Sequence, residues 1–243
     1  MMAVTIAKKR LNFSTKFFYG LASLGTATVS SIFAALLPIF YQDYLGLSAR
    51  WIGIASAIYA VWNAINDPLF GFITDSTQSK LGRRIPYMRF SAPFLGLTFV
   101  LVWFAPEGAG NQALFWWMLV TMLLYDTCYT IIGLVHGALM PELSESDVER
   151  NQLSIASALF GLLGYVFGFL LPDFFRPQAN GDTSLLSLRL AMVAVGIIAA
   201  FLIILTTLKV RERREFALVD RPPNFWESLR YTLTSKSFWF FLR

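Results

Sequence analysis

Two carboxylates, Asp67 and Asp126, stand inside otherwise uncharged apolar stretches of a 243-residue chain. A charge at bilayer depth is costly, so such a group is by default an ion, proton or substrate site; the alternative is a structural Asp hydrogen-bonded at a helix contact. Tyr59, Asn63 and Asp67 recur every four residues and share one helical face, with Asn66 beside them. Pro68 follows, and its missing N–H frees the carbonyl of Ala64. Carboxylate, amide oxygens and freed carbonyl make an oxygen-rich patch suited to a hard cation such as Na+ or to a protonation switch. Asp126 has Tyr125, Thr127, Tyr129 and Thr130 nearby, with Thr130 one turn on and on its face. The expected coupling residues are Asp67, Asn63 and Asp126, and the expected substrate-cavity residues are Tyr59, Asn66, Tyr129 and Thr130.

Other reactive groups are scarce. His136 is the one histidine and Cys128 the one cysteine, which excludes a His-rich metal site and an internal disulfide framework. A single histidine with no Ser/His dyad, paired His or Cys/His set gives an intramembrane enzyme nothing to work with. We expect no catalytic residues, no resident metal and no cofactor beyond a coupling ion, Na+ or H+.

A third group lies where the second apolar stretch ends. Gly71 would let another helix approach closely. Asp75, at a helix C-terminal end, is poorly placed for the helix dipole and wants a cation such as Arg83 or Arg84, which follow Gly82. Such an ion pair can latch one conformation and release in another. A simple topogenic basic loop would explain the arginines alone.

The elements that must position these residues follow from charge spacing. Hydrophobic residues make up 56% of the chain and charged ones 14%, where soluble domains carry about 25%. A bilayer core of about 30 Å needs roughly 20 apolar residues per helix. Six intervals qualify, 17–42, 51–74, 90–106, 112–139, 151–172 and 190–208, and 237–242 begins a seventh. The expectation is an all-α membrane protein whose six transmembrane helices form one bundle over residues 1–208, followed by a cytoplasmic loop, 209–236, and the start of helix seven, 237–243. Apolar positions 225, 226, 229 and 233 fit one face of a short helix, lying on the membrane surface or serving as an ordinary linker. Gly164 and Gly168 match the spacing of close helix contacts, including those of dimers.

The loops sort the basic residues. Lys8, Lys9, Arg10, Lys16, Lys80, Arg83, Arg84, Arg89, Arg150 and the group from Lys209 to Lys236 fall on one side, against Arg50, Arg176 and Arg189 on the other. Both ends of the unit are therefore expected in the cytoplasm of a multi-pass cell-membrane protein. The net charge of +5 reads as topology, with no nucleic-acid partner implied.

From Trp62 to Pro86 the sequence closely resembles the helix-two and loop signature of the glycoside-pentoside-hexuronide:cation symporters, the melibiose-carrier branch of the major facilitator superfamily. Pro141-Glu142-Leu143, with Asp147, Arg150 and Leu153, is similar to that family's loop between helices four and five. The resemblance covers the N-terminal half of a twelve-helix carrier. It implies alternating access, with a cation on helix-two and helix-four carboxylates coupled to a sugar-like solute. Carried over, Asp67 falls on the second helix-two aspartate of that cation site, Asn63 on the first and Gly133 on the helix-four aspartate. Ala27 and Ala158 fall on the sugar-binding aspartate and arginine. Asp126 stands seven residues before Gly133, about 10 Å along the helix, as a relocated helix-four charge. The branch also contains lysolipid carriers.

The leading expectation is thus a secondary transporter, with a small-molecule substrate, the lipid bilayer and a missing C-terminal six-helix half as partners. A chain ending inside the apolar run Phe238 to Leu242 is expected to be a truncation. A non-transporting membrane scaffold or sensor is the rival.

Overall fold

The computed structural model describes residues 10–77, 79, 82–175, 185–212, 230 and 234. The expected short helix at 225–233 and the start of helix seven at 237–243 lie outside the described residues, Arg230 aside. Six α-helices account for nearly all of the rest: α1 (Phe13–Ile39), α2 (Ala49–Ser76), α3 (Ile85–Trp103), α4 (Asn111–Leu143), α5 (Asp147–Phe175) and α6 (Leu186–Lys209). A wide π-helical turn, Phe40–Tyr44, ends α1.

Local chemistry marks the boundaries. Pro86 stands in the first turn of α3, where a missing N–H costs nothing. Asp147 and Glu149 occupy the first turn of α5, and Lys209 the last turn of α6, each with the sign the helix dipole favours. α2 runs on through Pro68.

Among the described residues five segments are long and apolar enough to cross a membrane: Phe13–Tyr44 and α3, α4, α5 and α6. α2, at 28 residues, has the length, since about 20 suffice. It is too polar to qualify by composition, because Asn63, Asn66, Asp67 and Asp75 all lie within it.

The helices pack in pairs, α1 on α5 and α6, α3 on α4 and α6, and α2 on α4. At the α1–α5 crossing, a Cβ on Gly164 would sit 2.6 Å from the carbonyl oxygen of Leu24, and one on Gly168 would collide with Ser31. The Gly164/Gly168 pair is therefore used inside the bundle, against α1. Elsewhere the core is aromatic and aliphatic. Trp103 stands edge-on to Phe40, and the buried Tyr41 hydroxyl donates to the carbonyl of Val102 at 2.8 Å.

Candidate functional site: a polar seam between two helices

The buried carboxylate of Asp126, 1% exposed, is the hub of the α2–α4 contact. Its Oδ1 accepts the Tyr59 hydroxyl at 2.9 Å and Asn63 Nδ2 at 3.2 Å. Its Oδ2 accepts Asn66 Nδ2 at 3.0 Å. One turn away along α2, Trp62 Nε1 donates to Thr127 Oγ1 at 3.2 Å. Thr130 then donates to Asp67 Oδ1 at 3.4 Å. Partners rise together in number along both helices, so α2 and α4 run parallel and a single ladder joins them.

The α2 face turned toward Asp126 is Tyr59, Asn63 and Asn66, a correction to the expected Tyr59, Asn63 and Asp67. At 3.6 residues per turn, four-residue steps drift, so position 67 lies about 80° around the helix from 59 and position 66 only about 20°. Asp67 is accordingly exposed. The two carboxylates do not share one cavity surface among the described residues: Asp126 is enclosed by donors, and Asp67 faces outward with one long hydrogen bond. Asn66 Oδ1 is buried without a hydrogen-bond partner among the described residues, an oxygen still able to accept. Tyr129 stacks beside Tyr125, with ring centroids 5.9 Å apart, and Tyr125 stacks on Phe33 at 4.4 Å.

Among the described residues no group of three His, Cys, Asp or Glu could hold a metal. The Asp67 side offers oxygens from one carboxylate and Thr130, and Gly133, three residues past Thr130, opens on empty space.

The second cluster lies at the end where α2 finishes and α3 begins. Arg84 Nη2 reaches Asp75 at 3.1 Å, as the sequence suggests. The stronger partner is Glu142 at the end of α4, whose Oε1 accepts Arg83 Nη2 at 2.9 Å and Arg84 Nε at 2.7 Å. Glu212, just after α6, accepts the backbone N–H groups of Arg83, Arg84 and Ile85 at 2.6, 2.7 and 2.5 Å. It caps α3 with a carboxylate, where the helix dipole favours one. Gly82 makes this possible, because its φ of +110° suits glycine and a Cβ there would collide with the Glu212 carboxylate. Gly71 has nothing within 4 Å of the Cβ it lacks, so no described helix makes the expected close approach.

Sequence reasoning did not assign roles to Glu142 or Glu212. Glu212 had a signal, as an acid amid the cations Lys209, Arg211, Arg213 and Arg214. It also gave no sign that Tyr19 and His136 tie α1 to α4. Their rings stack at 4.1 Å, the Tyr19 hydroxyl donates to the His136 carbonyl at 2.9 Å, and His136 Nε2 lies 3.0 Å from the Tyr19 carbonyl oxygen.

A bundle of long apolar helices, with the carboxylate of Asp126 buried between two of them, defines a multi-pass membrane protein. Residues 18–243 match the MFS/sugar transport protein family, and the chain belongs to it. It is 30% identical over 190 residues, 73% of this chain and 35% of the relative, to an uncharacterized symporter of Synechocystis sp.. It is 26% identical over 264 residues, 95% of this chain and 50% of the relative, to the sodium-dependent lysophosphatidylcholine symporter 1 of Xenopus tropicalis. It is 27% identical over 163 residues, 67% of this chain and 34% of the relative, to the isoprimeverose transporter of Lactiplantibacillus pentosus. The chain spans half or less of the length of these relatives.

Proposed function

We propose that the chain forms the N-terminal six-helix bundle of a secondary active transporter of the melibiose-carrier branch, with α2 as its sixth span and both ends of the bundle cytoplasmic. A C-terminal six-helix bundle completes the cavity, and the whole moves a small solute by alternating access, coupled to Na+ or H+. The observation that carries this is the pair of unlike carboxylates on the α2–α4 seam. Asp126 is saturated by Tyr59, Asn63 and Asn66 and fixes α2 against α4. Asp67 is exposed on the adjoining face, with Thr130 its one hydrogen-bond partner among the described residues, and is the group open to a cation, proton or substrate. Tyr59, Asn66, Tyr129 and Thr130 shape the wall behind it.

The relatives' names span a sugar and a lysolipid. Ala27, which falls on the melibiose carriers' sugar-binding aspartate, is buried against Gly164. That favours a solute other than a disaccharide held in their manner.

The test uses Asp67→Asn and Asp126→Asn in the full-length protein, with gradient-driven uptake and thermal unfolding both measured. Asp67→Asn should abolish coupling while the fold stays as stable. Asp126→Asn should lower the unfolding midpoint as well, since an amide presents donors to donors. Unchanged coupling in both variants would overturn the reading.

A further inference from the structure

α3 and α6 run antiparallel and are pinned at both ends by arginines. Near the start of α3, Arg89 donates from Nη2 to the carbonyl of Thr207 at 2.8 Å and from Nε to Thr207 Oγ1 at 3.2 Å. Near the start of α6, Arg189 donates from Nε to the carbonyl of Trp103 at 2.9 Å and from Nη2 to that of Ala105 at 2.8 Å. Each arginine thus satisfies carbonyls left open at the C-terminal end of the partner helix.

Between the pins the helices cross at two glycines. A Cβ on Gly96 would lie 2.7 Å from the Gly196 carbonyl oxygen, and one on Gly196 would lie 2.9 Å from that of Gly96. With no side chains at the crossing, the outer surface is hollow there. A groove of about 510 Å3 runs along it, lined entirely by apolar residues that include Pro93, Val100, Phe201 and Ile204. Its rim is Leu97 and Ile197, with Phe90, Phe94 and Leu208 exposed nearby. The polar, charge-bearing surface of α2 cannot face hydrocarbon and needs protein beside it. The wholly apolar α3–α6 surface can face lipid.

The two ends of the groove differ in charge. Arg189 is neutralised by Glu107 at 2.5 Å. Arg89 has no carboxylate partner among the described residues, and its Nη1 edge makes no described hydrogen bond. A guanidinium with an open edge matches a phosphate, and Pro93 lies one turn along α3 from it, on the same face. We infer that the α3–α6 groove is a binding site for an anionic phospholipid, an acyl chain lying over the Gly96–Gly196 crossing and the phosphodiester at Arg89. The occupant comes from the leaflet that Arg89 faces, the cytoplasmic one on the orientation proposed above, where anionic lipids collect.

The test takes the purified full-length protein in neutral detergent and measures its thermal unfolding midpoint and its bound lipid by native mass spectrometry. Phosphatidylglycerol should raise the midpoint and remain bound, and phosphatidylcholine or inorganic phosphate should not. Arg89→Gln should erase the difference between the two lipids, Arg89→Lys should keep part of it, and Leu97→Trp, which fills the groove from its rim, should lower retention of phosphatidylglycerol. Equal protection by both lipids, or an Arg89→Gln protein that still prefers phosphatidylglycerol, would overturn the site. Labelling of Ser79→Cys, in a protein whose Cys128 is Ser, by an impermeant reagent from outside the cell would instead overturn only the leaflet. Labelling from the cytoplasmic side supports it.

Discussion

Asn63 donates to the same Asp126 oxygen that accepts the Tyr59 hydroxyl, so an acid at position 63 is not the neutral change its size suggests. Asn63→Asp would replace a donor by a second carboxylate at hydrogen-bond distance, and like charges in one buried site cannot both stay ionised at low cost. Hydrogen bonds to charged groups contribute about 1.5–3 kcal/mol, so thermal unfolding of the full-length protein should show a loss of about 2 kcal/mol or more. Asp67→Asn, at an exposed side chain with one 3.4 Å contact, should stay within about 0.5 kcal/mol of the parent. The ingredients of this seam were legible in the sequence because polar groups among apolar neighbours stand out. Their division of labour was not. It depends on a 20° versus 80° placement around α2, and on which of two carboxylates the α4 register brings opposite it.

At the scale of elements, the helices were readable wherever spacing between charges carried the signal. That includes α2, read as 51–74 and found at Ala49–Ser76, although Asn63, Asn66, Asp67 and Asp75 leave it less apolar than the other five. Glycine roles were less legible, because spacing shows that a helix can be approached and not by what. Gly164 and Gly168 meet α1, Gly96 and Gly196 meet each other, and Gly71 and Gly161 meet nothing within 4 Å. Two leucine substitutions on α5 separate contact from composition. Gly168→Leu must push the α1 and α5 backbones apart at Ser31 and Thr28, and overpacking a close crossing costs about 1–3 kcal/mol. Gly161→Leu points into open space and replaces a poor helix former with a good one. The first should lower the unfolding midpoint and the second should hold or raise it; equal losses would mean that α5 is set by something other than this crossing.

Across the molecule, the Asp75, Arg83, Arg84, Glu142 and Glu212 cluster joins four parts of the chain that the sequence keeps up to 137 residues apart: the end of α2, the start of α3, the end of α4 and the segment after α6. Only the Asp75–Arg84 pairing could be read from spacing, since Glu142 and Glu212 arrive through tertiary packing. Burial ranks the members. The Asp75 side chain is 49% exposed and that of Glu142 8%. An exposed ion pair contributes about 0–1 kcal/mol, whereas removing one partner of a buried pair costs about 3–5 kcal/mol. Glu142→Gln, which takes the shared anion from two largely buried guanidiniums and leaves Arg84 only the exposed Asp75 among the described residues, should therefore destabilise the bundle measurably, and Asp75→Ala should not. On the transporter reading proposed above, the weaker pair is the one suited to a latch, because a contact that opens in every cycle cannot be expensive to break. Asp75→Ala in the full-length protein should change the transport rate and the exposure of inward-facing cysteine probes while the unfolding midpoint holds. A protein indifferent to Asp75→Ala in both rate and exposure would reduce the arginines to topological charges, with Glu142 and Glu212 serving only to hold them down.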